Sequence, residues 1–184
     1  MTVAILALQG AFIEHRRALE KLGAESFEIR EASDLQKPFD RLILPGGEST
    51  VQRKLLMEDG IFEGLKSRVE DGMPVLGTCA GLILLAQEVE GGKPCFGTLP
   101  VTVRRNAYGR QLGSFHAEAE FDGLGPVPMT FIRAPFITAV HPGAQALAEV
   151  DGNVVAARSG NQIGVAFHPE LDRDLRIHKM FLEL

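Results

Sequence analysis

The sequence predicts an α/β fold with a mainly parallel central sheet flanked by helices and a more strand-rich second half. Three observations predict it. The first half alternates apolar runs of strand length with segments of helical periodicity, joined by short connections, which is the pattern of strand–helix–strand units. Its apolar runs, Val3-Ala4-Ile5-Leu6-Ala7-Leu8 and Leu42-Ile43-Leu44, are continuous rather than alternating, as suits strands covered on both faces. The second half is punctuated by turn signals such as Asp122-Gly123 and Asp151-Gly152, which separate short strands.

In chain order, residues 3–8 form the first strand, which ends at Gln9-Gly10. A helix follows with Phe12, Leu19 and Leu22 on one face and Glu14, Arg17 and Lys21 turned outward. Gly23 is placed to stop it. Residues 27–29 make a short second strand, and residues 41–44 a third, closed by Pro45-Gly46-Gly47. Ser49 and Gln52 have capping-box spacing, so the next helix starts at Ser49. Ile61, Leu65 and Val69 mark another helix. Residues 74–77 are a strand that runs straight into Thr78-Cys79-Ala80-Gly81, and an apolar helix over 82–87 follows. Beyond it, strands are expected over 101–104, 117–121, 129–132, 154–158 and 163–167, and a helix from about 172 to 183. No repeat, linker or low-complexity stretch interrupts the chain, so residues 1–184 read as one domain.

The composition narrows the function classes. A net charge of −5 implies no basic surface for nucleic acid. No apolar run approaches membrane-spanning length. Residues 1–8 lack the basic flank and cleavage site of a signal peptide and read as a strand. The two cysteines, Cys79 and Cys95, are in neither a CxxC nor a metal-ligand spacing. No metal or cofactor is expected, and a reducing cytoplasm, in which a free thiol is available for chemistry, fits best.

Cys79 is the candidate nucleophile. Gly77-Thr78-Cys79-Ala80-Gly81 has the glycine spacing of a nucleophile elbow, with Cys in place of Ser. Such a turn is tight, and Gly77 and Gly81 let strand and helix approach. Cys79 would then stand at the carboxyl end of the strand, with the Ala80 N–H at a helix N-terminus ready to meet an oxyanion. A lone cysteine is more often a small buried hydrophobe. The two framing glycines reverse those odds, and Cys95, in a loop after Gly91-Gly92-Lys93-Pro94, has no such frame.

A thiol nucleophile needs a base, and the base needs an orienter. Phe167-His168-Pro169-Glu170 follows an apolar strand, where a parallel sheet presents its catalytic groups. In an extended segment, His168 and Glu170 would point the same way and the carboxylate would reach the far imidazole nitrogen. The other histidines compete poorly. His15, among Glu14, Arg16 and Arg17, reads as part of a solvated helix face. His116 has no carboxylate beside it, His141 precedes Pro142-Gly143 in a turn, and His178 belongs to the last helix.

Together, Gly77-Thr78-Cys79-Ala80-Gly81 and His168-Pro169-Glu170 resemble the class I (triad) glutamine amidotransferases. Leu8-Gln9-Gly10, Leu44-Pro45-Gly46-Gly47-Glu48-Ser49-Thr50, Arg105-Asn106-Ala107-Tyr108-Gly109-Arg110-Gln111 and Phe131-Ile132-Arg133-Ala134-Pro135 narrow the likeness to the glutaminase subunits of pyridoxal 5′-phosphate synthases. The likeness departs at Phe136, where that family often carries a histidine. It implies that Cys79 attacks the side-chain amide of L-glutamine, that His168 relays the proton, that Glu170 orients His168, and that a γ-glutamyl thioester forms. It implies an oxyanion hole from the N–H groups of Gly47 and Ala80. Glu48 and Ser49 would bind the ends of the amino acid, with Gly47 at the same turn, while Arg105, Ile132 and Arg133 would close the pocket. It also implies a partner synthase, a (β/α)8 barrel, that receives the ammonia, with Gln9, Gly10 and the Gly46-Gly47 turn as movers when it docks. Read without the likeness, Glu48 and Ser49 serve as well for a helix start as for ligand contact, and Arg105 and Arg133 are solvated arginines. Three other functions stay open: the glutaminase subunit of a histidine or purine amidotransferase, a related-fold cysteine hydrolase, and a non-catalytic binding subunit.

Overall fold

The computed structural model describes residues 1–107 and 113–184; Tyr108, Gly109, Arg110 and Gln111 of the Arg-Asn-Ala-Tyr-Gly-Arg-Gln motif lie outside the described residues. The first half runs β1 (Thr2–Leu6), α1 (Phe12–Lys21), β2 (Glu25–Ile29), β3 (Arg41–Leu44), α2 (Ser49–Glu58), α3 (Phe62–Glu70), β4 (Val75–Thr78) and α4 (Ala80–Leu85). The second adds β5 (Ala86–Val89), β6 (Leu99–Arg104), β7 (Ser114–Phe121), β8 (Gly125–Ile132), β9 (Phe136–Val140), β10 (Gln145–Val150), β11 (Asn153–Ser159), β12 (Gln162–Val165) and α5 (Arg176–Leu182).

All these strands join one sheet. Its main path is β2-β1-β3-β4-β12-β11-β10-β7-β8, and β5, β6 and β9 branch from β11. The central block β2-β1-β3-β4-β12 is parallel throughout. Its strands are the continuous apolar runs: Val3 to Leu6, Leu42 to Leu44, Val75 and Leu76 are fully buried, because helices cover both faces. The second half is joined mostly by antiparallel pairs, with β7 and β8 in register from Ser114↔Ile132 to Phe121↔Gly125.

The ends of α1 follow the expectation. Gly23 adopts φ 71°, its N–H donates to Glu20 O, and the Ala24 N–H reaches Leu19 O at 3.0 Å. Those two bonds are a Schellman closure of the helix.

Several details differ from the sequence reading. Helix α2 starts at Ser49, but the residue before it is Glu48, and no side-chain cap forms. Gln52 is fully buried, and its amide donates instead to the carbonyls of Gln9 and Pro45, at 2.9 and 3.1 Å. The apolar helix stops at Leu85, because Ala86 turns extended and begins β5 beside β6. Strands β9 and β10 are additional. The β9 segment, Phe136-Ile137-Thr138-Ala139-Val140, is rich in β-prone residues and pairs with β6 and β11. The β10 segment, Gln145-Ala146-Leu147-Ala148-Glu149-Val150, has few, and pairing with β11 and β7 supplies what local propensity does not. Helix α5 is shorter than 172–183, since Pro169–Leu171 forms a separate 3-10 turn and Asp174 accepts the Arg176 N–H at 3.0 Å just before α5 begins. None of the helices among the described residues is long and apolar enough to cross a membrane.

Candidate active site

Four sheet neighbours, β1, β3, β4 and β12, end on the same edge, the edge at which open parallel sheets carry their sites. From them come, in turn, the Gln9 loop, the 45–48 loop, Cys79 and His168.

At the end of β4, Cys79 has φ 49° and ψ −100°, a conformation that costs a non-glycine residue on the order of 1–3 kcal/mol. The surroundings enforce it. The Cys79 N–H donates to Val165 O of β12 at 2.8 Å. A Cβ on Gly77 would stand 2.7 Å from the Gly81 carbonyl, and one on Gly81 only 1.9 Å from Leu44 O. The predicted elbow is therefore present, and its two glycines are steric necessities. Gly81→Ala forces α4 away from β3; a loss of about 1–3 kcal/mol or more is expected, readable as a lower denaturation midpoint. Cys79 is nearly buried, with Sγ 3.9 Å from the Ile132 carbonyl oxygen.

His168 is fixed by its N–H to Thr130 O at 2.8 Å. Its Nδ1 and Glu170 Oε1 are 2.6 Å apart. The pairing is as predicted, but its geometry is not the extended one. β12 ends at Val165, His168 has φ −110° and ψ 83°, and Glu170 lies in the 3-10 turn Pro169–Leu171. Proline at the head of that turn bends the chain so that the carboxylate folds back under the ring. Burial pushes the His168 imidazole down, but its hydrogen bonds with Cys79 and Glu170 outweigh that and hold it up at about 10. Burial raises the Glu170 carboxyl, against the pull of His168. The imidazole is thus a strong base toward the thiol, in a dry setting where each bond counts for more. Gly46 gives the ring its space: a Cβ there would meet His168 Cε1 at 2.3 Å and Nδ1 at 2.8 Å.

The 45–48 loop is clamped from several sides. Gln9 Oε1 accepts the Glu48 N–H at 2.7 Å, Thr78 Oγ1 accepts the Gly46 N–H at 3.1 Å, and Gly46 O accepts the Ala11 N–H at 3.0 Å. Since the Gly46–Gly47 peptide is trans, its N–H at Gly47 points away from α1.

A cleft of about 420 Å³, within the range of small-molecule sites, is lined by Gln9, Gly47, Glu48, Ser49, Cys79, Arg105, Ile132, Arg133 and His168 among others. Every pocket residue singled out in the sequence is therefore brought together, while Ala80 heads the helix behind Cys79 and Glu170 lies under His168. Arg105 and Arg104 separate cleanly: Arg104 points away to Glu90 at 2.6 Å and over the Phe136 ring. Arg133 holds a positive φ of 45° at the end of β8.

The other histidines and Cys95 complete the comparison. His116 is exposed and bonded through Nδ1 to Thr130, and His141 pairs with Thr102. Cys95 is half-buried, and burial pushes its thiol up to about 11, away from reactivity. His15 overturns its expectation. It is fully buried, with Nε2 3.5 Å from Glu170 Oε2 and Nδ1 2.9 Å from His178 Nε2. Its spacing held the signal: position 15 is three residues after Phe12 and four before Leu19, on the apolar stripe, and the charged neighbours concealed it.

Comparison with known proteins fits this geometry. Residues 5–184 match the SNO glutamine amidotransferase family. The pyridoxal 5′-phosphate synthase subunit PdxT of Methanocorpusculum labreanum is 61% identical over 184 residues, covering all of this chain and 97% of that protein. The protein of the same name from Desulfitobacterium hafniense strain Y51 is 56% identical, over all of this chain and 92% of its own. A solved glutamine amidotransferase superposes with a TM-score of 0.93 at 44% identity, covering 98% of this chain and 97% of that one. PurLQS from Thermotoga maritima, at 13% identity and a TM-score of 0.72, shares the fold.

Proposed function

The chain belongs to the SNO glutamine amidotransferase family, and we propose that it is the glutaminase subunit of a pyridoxal 5′-phosphate synthase, hydrolysing L-glutamine to glutamate and ammonia through Cys79, His168 and Glu170. The observation that carries this reading is the bonded His168–Glu170 pair against a strained Cys79, in one cleft with anion- and cation-binding side chains. The relatives named above, matched along the whole chain, supply the partner.

The reaction follows from the groups. Nε2 of His168 takes the thiol proton, and Cys79 Sγ attacks the carboxamide carbon. The developing oxyanion meets the N–H groups of Ala80 and Gly47, the kind of contact that contributes most where water is excluded. The imidazolium gives its proton to the leaving nitrogen, ammonia departs, and a γ-glutamyl thioester remains. Water, deprotonated by His168, attacks the thioester; the C–S bond breaks, the thiol regains its proton, and glutamate leaves. Glu170 holds the ring with Nδ1–H toward itself throughout. Glu48 answers the α-ammonium of the substrate, and Arg105 and Arg133 its α-carboxylate, beside Gly47, Ser49 and Ile132. One glutaminase domain, residues 1–184, working in the cytoplasm, hands its ammonia to a (β/α)8-barrel synthase subunit.

Glutamate release, assayed with and without the synthase subunit, tests the assignment. Turnover that rises on adding the synthase supports it, and equal turnover counts against the partner. Arg105→Ala and Arg133→Ala should raise KM about tenfold or more, the loss of a charge-assisted contact, with a smaller change in kcat. Arg104→Ala, engaged with Glu90, should leave both as they are.

The pH profile has a predicted shape. Catalysis needs His168 able to carry a proton to the leaving group, so kcat/KM should fall on the alkaline side near pH 10. Its acid limb should lie above the ordinary glutamate range, because burial raises Glu170. The raised His168 value also stabilises the fold: that contribution is complete below pH 6.5 and is lost as pH climbs through about 10.

A further inference from the structure

Under the triad lies a group of buried polar side chains that the reaction above does not use. His15 of α1 and His178 of α5 are both fully buried. His15 Nδ1 and His178 Nε2 are 2.9 Å apart. On the other side of its ring, His15 Nε2 faces Thr78 Oγ1 at 3.1 Å and Glu170 Oε2 at 3.5 Å. That carboxylate oxygen is buried and, among the described residues, has no hydrogen bond of ordinary geometry, and neither has His178 Nδ1. The groups facing Glu170 are His168 from its own segment, His15 and more distantly Glu14 from α1, and Cys79 beyond the His168 ring. His15 in turn is faced by His178, His168 and Thr78. Asp172 is turned aside to Thr130.

Resting on the glutaminase reading, we infer that His15, held by His178, is a positioning residue of the site: its Nε2–H, shared with Thr78 Oγ1, faces Glu170 Oε2 and keeps that carboxylate ionised and aimed at His168. Proton placement in the buried group decides this role. His15 is neutral, because burial, then His178 and His168, push it well below its ordinary value. A neutral ring has one N–H, and two arrangements are possible. In the first, Thr78 donates to His15 Nε2, and Nδ1–H donates to His178. A ring lone pair then faces the Glu170 carboxylate, and His178 is left with a buried N–H that has no acceptor. In the second, His178 Nε2–H donates to His15 Nδ1, and the His15 Nε2–H lies between Thr78 Oγ1 and Glu170 Oε2. Here the cost falls on neutral groups, the Thr78 hydroxyl proton and the lone pair of His178 Nδ1. A buried charge without a donor costs more than either, so the second arrangement holds. His178 matters because its own burial, which pushes it down to about 4, keeps it neutral too; a cation there would repel the proton from the wrong side. The chain of contacts His178, His15, Glu170, His168, Cys79 thus connects the last helix to the nucleophile.

The test uses the full chain with its synthase partner, and a second readout that needs no glutamine: the pH dependence of Cys79 alkylation by iodoacetamide. His15→Phe should lower kcat about 10–100-fold, the size typical of outer partners of a reacting group, with KM little changed. It should also move the acid limb of kcat/KM and of alkylation upward by about one pH unit. His15→Gln, whose amide N–H can reach the same oxygen, should restore most of kcat and return both limbs. His178→Leu frees His15 to take the other tautomer and should shift the limbs the same way by less. A folded His15→Phe or His178→Leu protein with wild-type limbs overturns the inference, as does His15→Gln shifting as far as His15→Phe. If His15→Phe does not fold, His178→Leu and His15→Gln decide. A wild-type chain that never hydrolyses glutamine defeats the glutaminase reading instead, and the alkylation profile still tests His15.

Discussion

Cys79→Ala should abolish glutamine hydrolysis, lowering kcat by about 10⁴–10⁶-fold, since it removes the covalent route altogether and triad members act as a unit. The substitution is structurally mild. Cys79 is nearly buried, and Sγ faces the His168 ring and lies 3.9 Å from Ile132 O. Alanine also fills the same strained backbone position, so the elbow itself is retained. Binding should therefore outlast catalysis: the variant should still hold glutamine in the cleft, measurable by calorimetry, while releasing no glutamate. The partner's contact should persist as well. Residual hydrolysis near the wild-type rate would mean that the nucleophile lies elsewhere, and Cys95 would not replace it, because burial holds its thiol up at about 11.

Much of this site was legible in the residues because it depends on local rules. Gly77 and Gly81 are needed wherever a strand turns at once into a helix, and the close contacts a Cβ would make there with Gly81 and Leu44 are the physical content of the motif. The parallel block was legible because strands buried on both faces have no polar side to show. Long-range packing was not legible. The Gln52 amide looks like a helix cap from its spacing, and only the approach of the Gln9 loop reveals why it is buried and turned the other way. Arg104 and Arg105 are indistinguishable until Glu90 of the neighbouring strand segment claims the first. His15 was hidden by its charged neighbours, and its role depends on α5, which is more than 160 positions away along the chain. The turn that carries Glu170 shows the same division: sequence named the pair, while Pro169 and the 3-10 geometry decided how the two meet.

Glu170→Gln should be nearly as damaging as loss of the nucleophile, with kcat down by about 10⁴-fold and KM close to wild type, because the ring is left in the wrong tautomer. The contacts around Glu170 say why the amide cannot rescue itself. A glutamine at this position has one oxygen and one NH2 to distribute between His168 Nδ1 and His15 Nε2, where the carboxylate offered an acceptor to each. If His15 presents an N–H, the amide oxygen turns to His15 and the NH2 to His168. Nδ1 must then accept, the ring proton moves to Nε2, and Cys79 has no base. This coupling makes a sharper prediction than either single variant. Glu170→Gln combined with His15→Phe should cost no more than Glu170→Gln alone, because removing the His15 N–H lets the amide oxygen turn back to His168 and permits the productive tautomer. Losses that multiply would place His15 outside the path to Glu170, since independent sites add in free energy and linked ones do not.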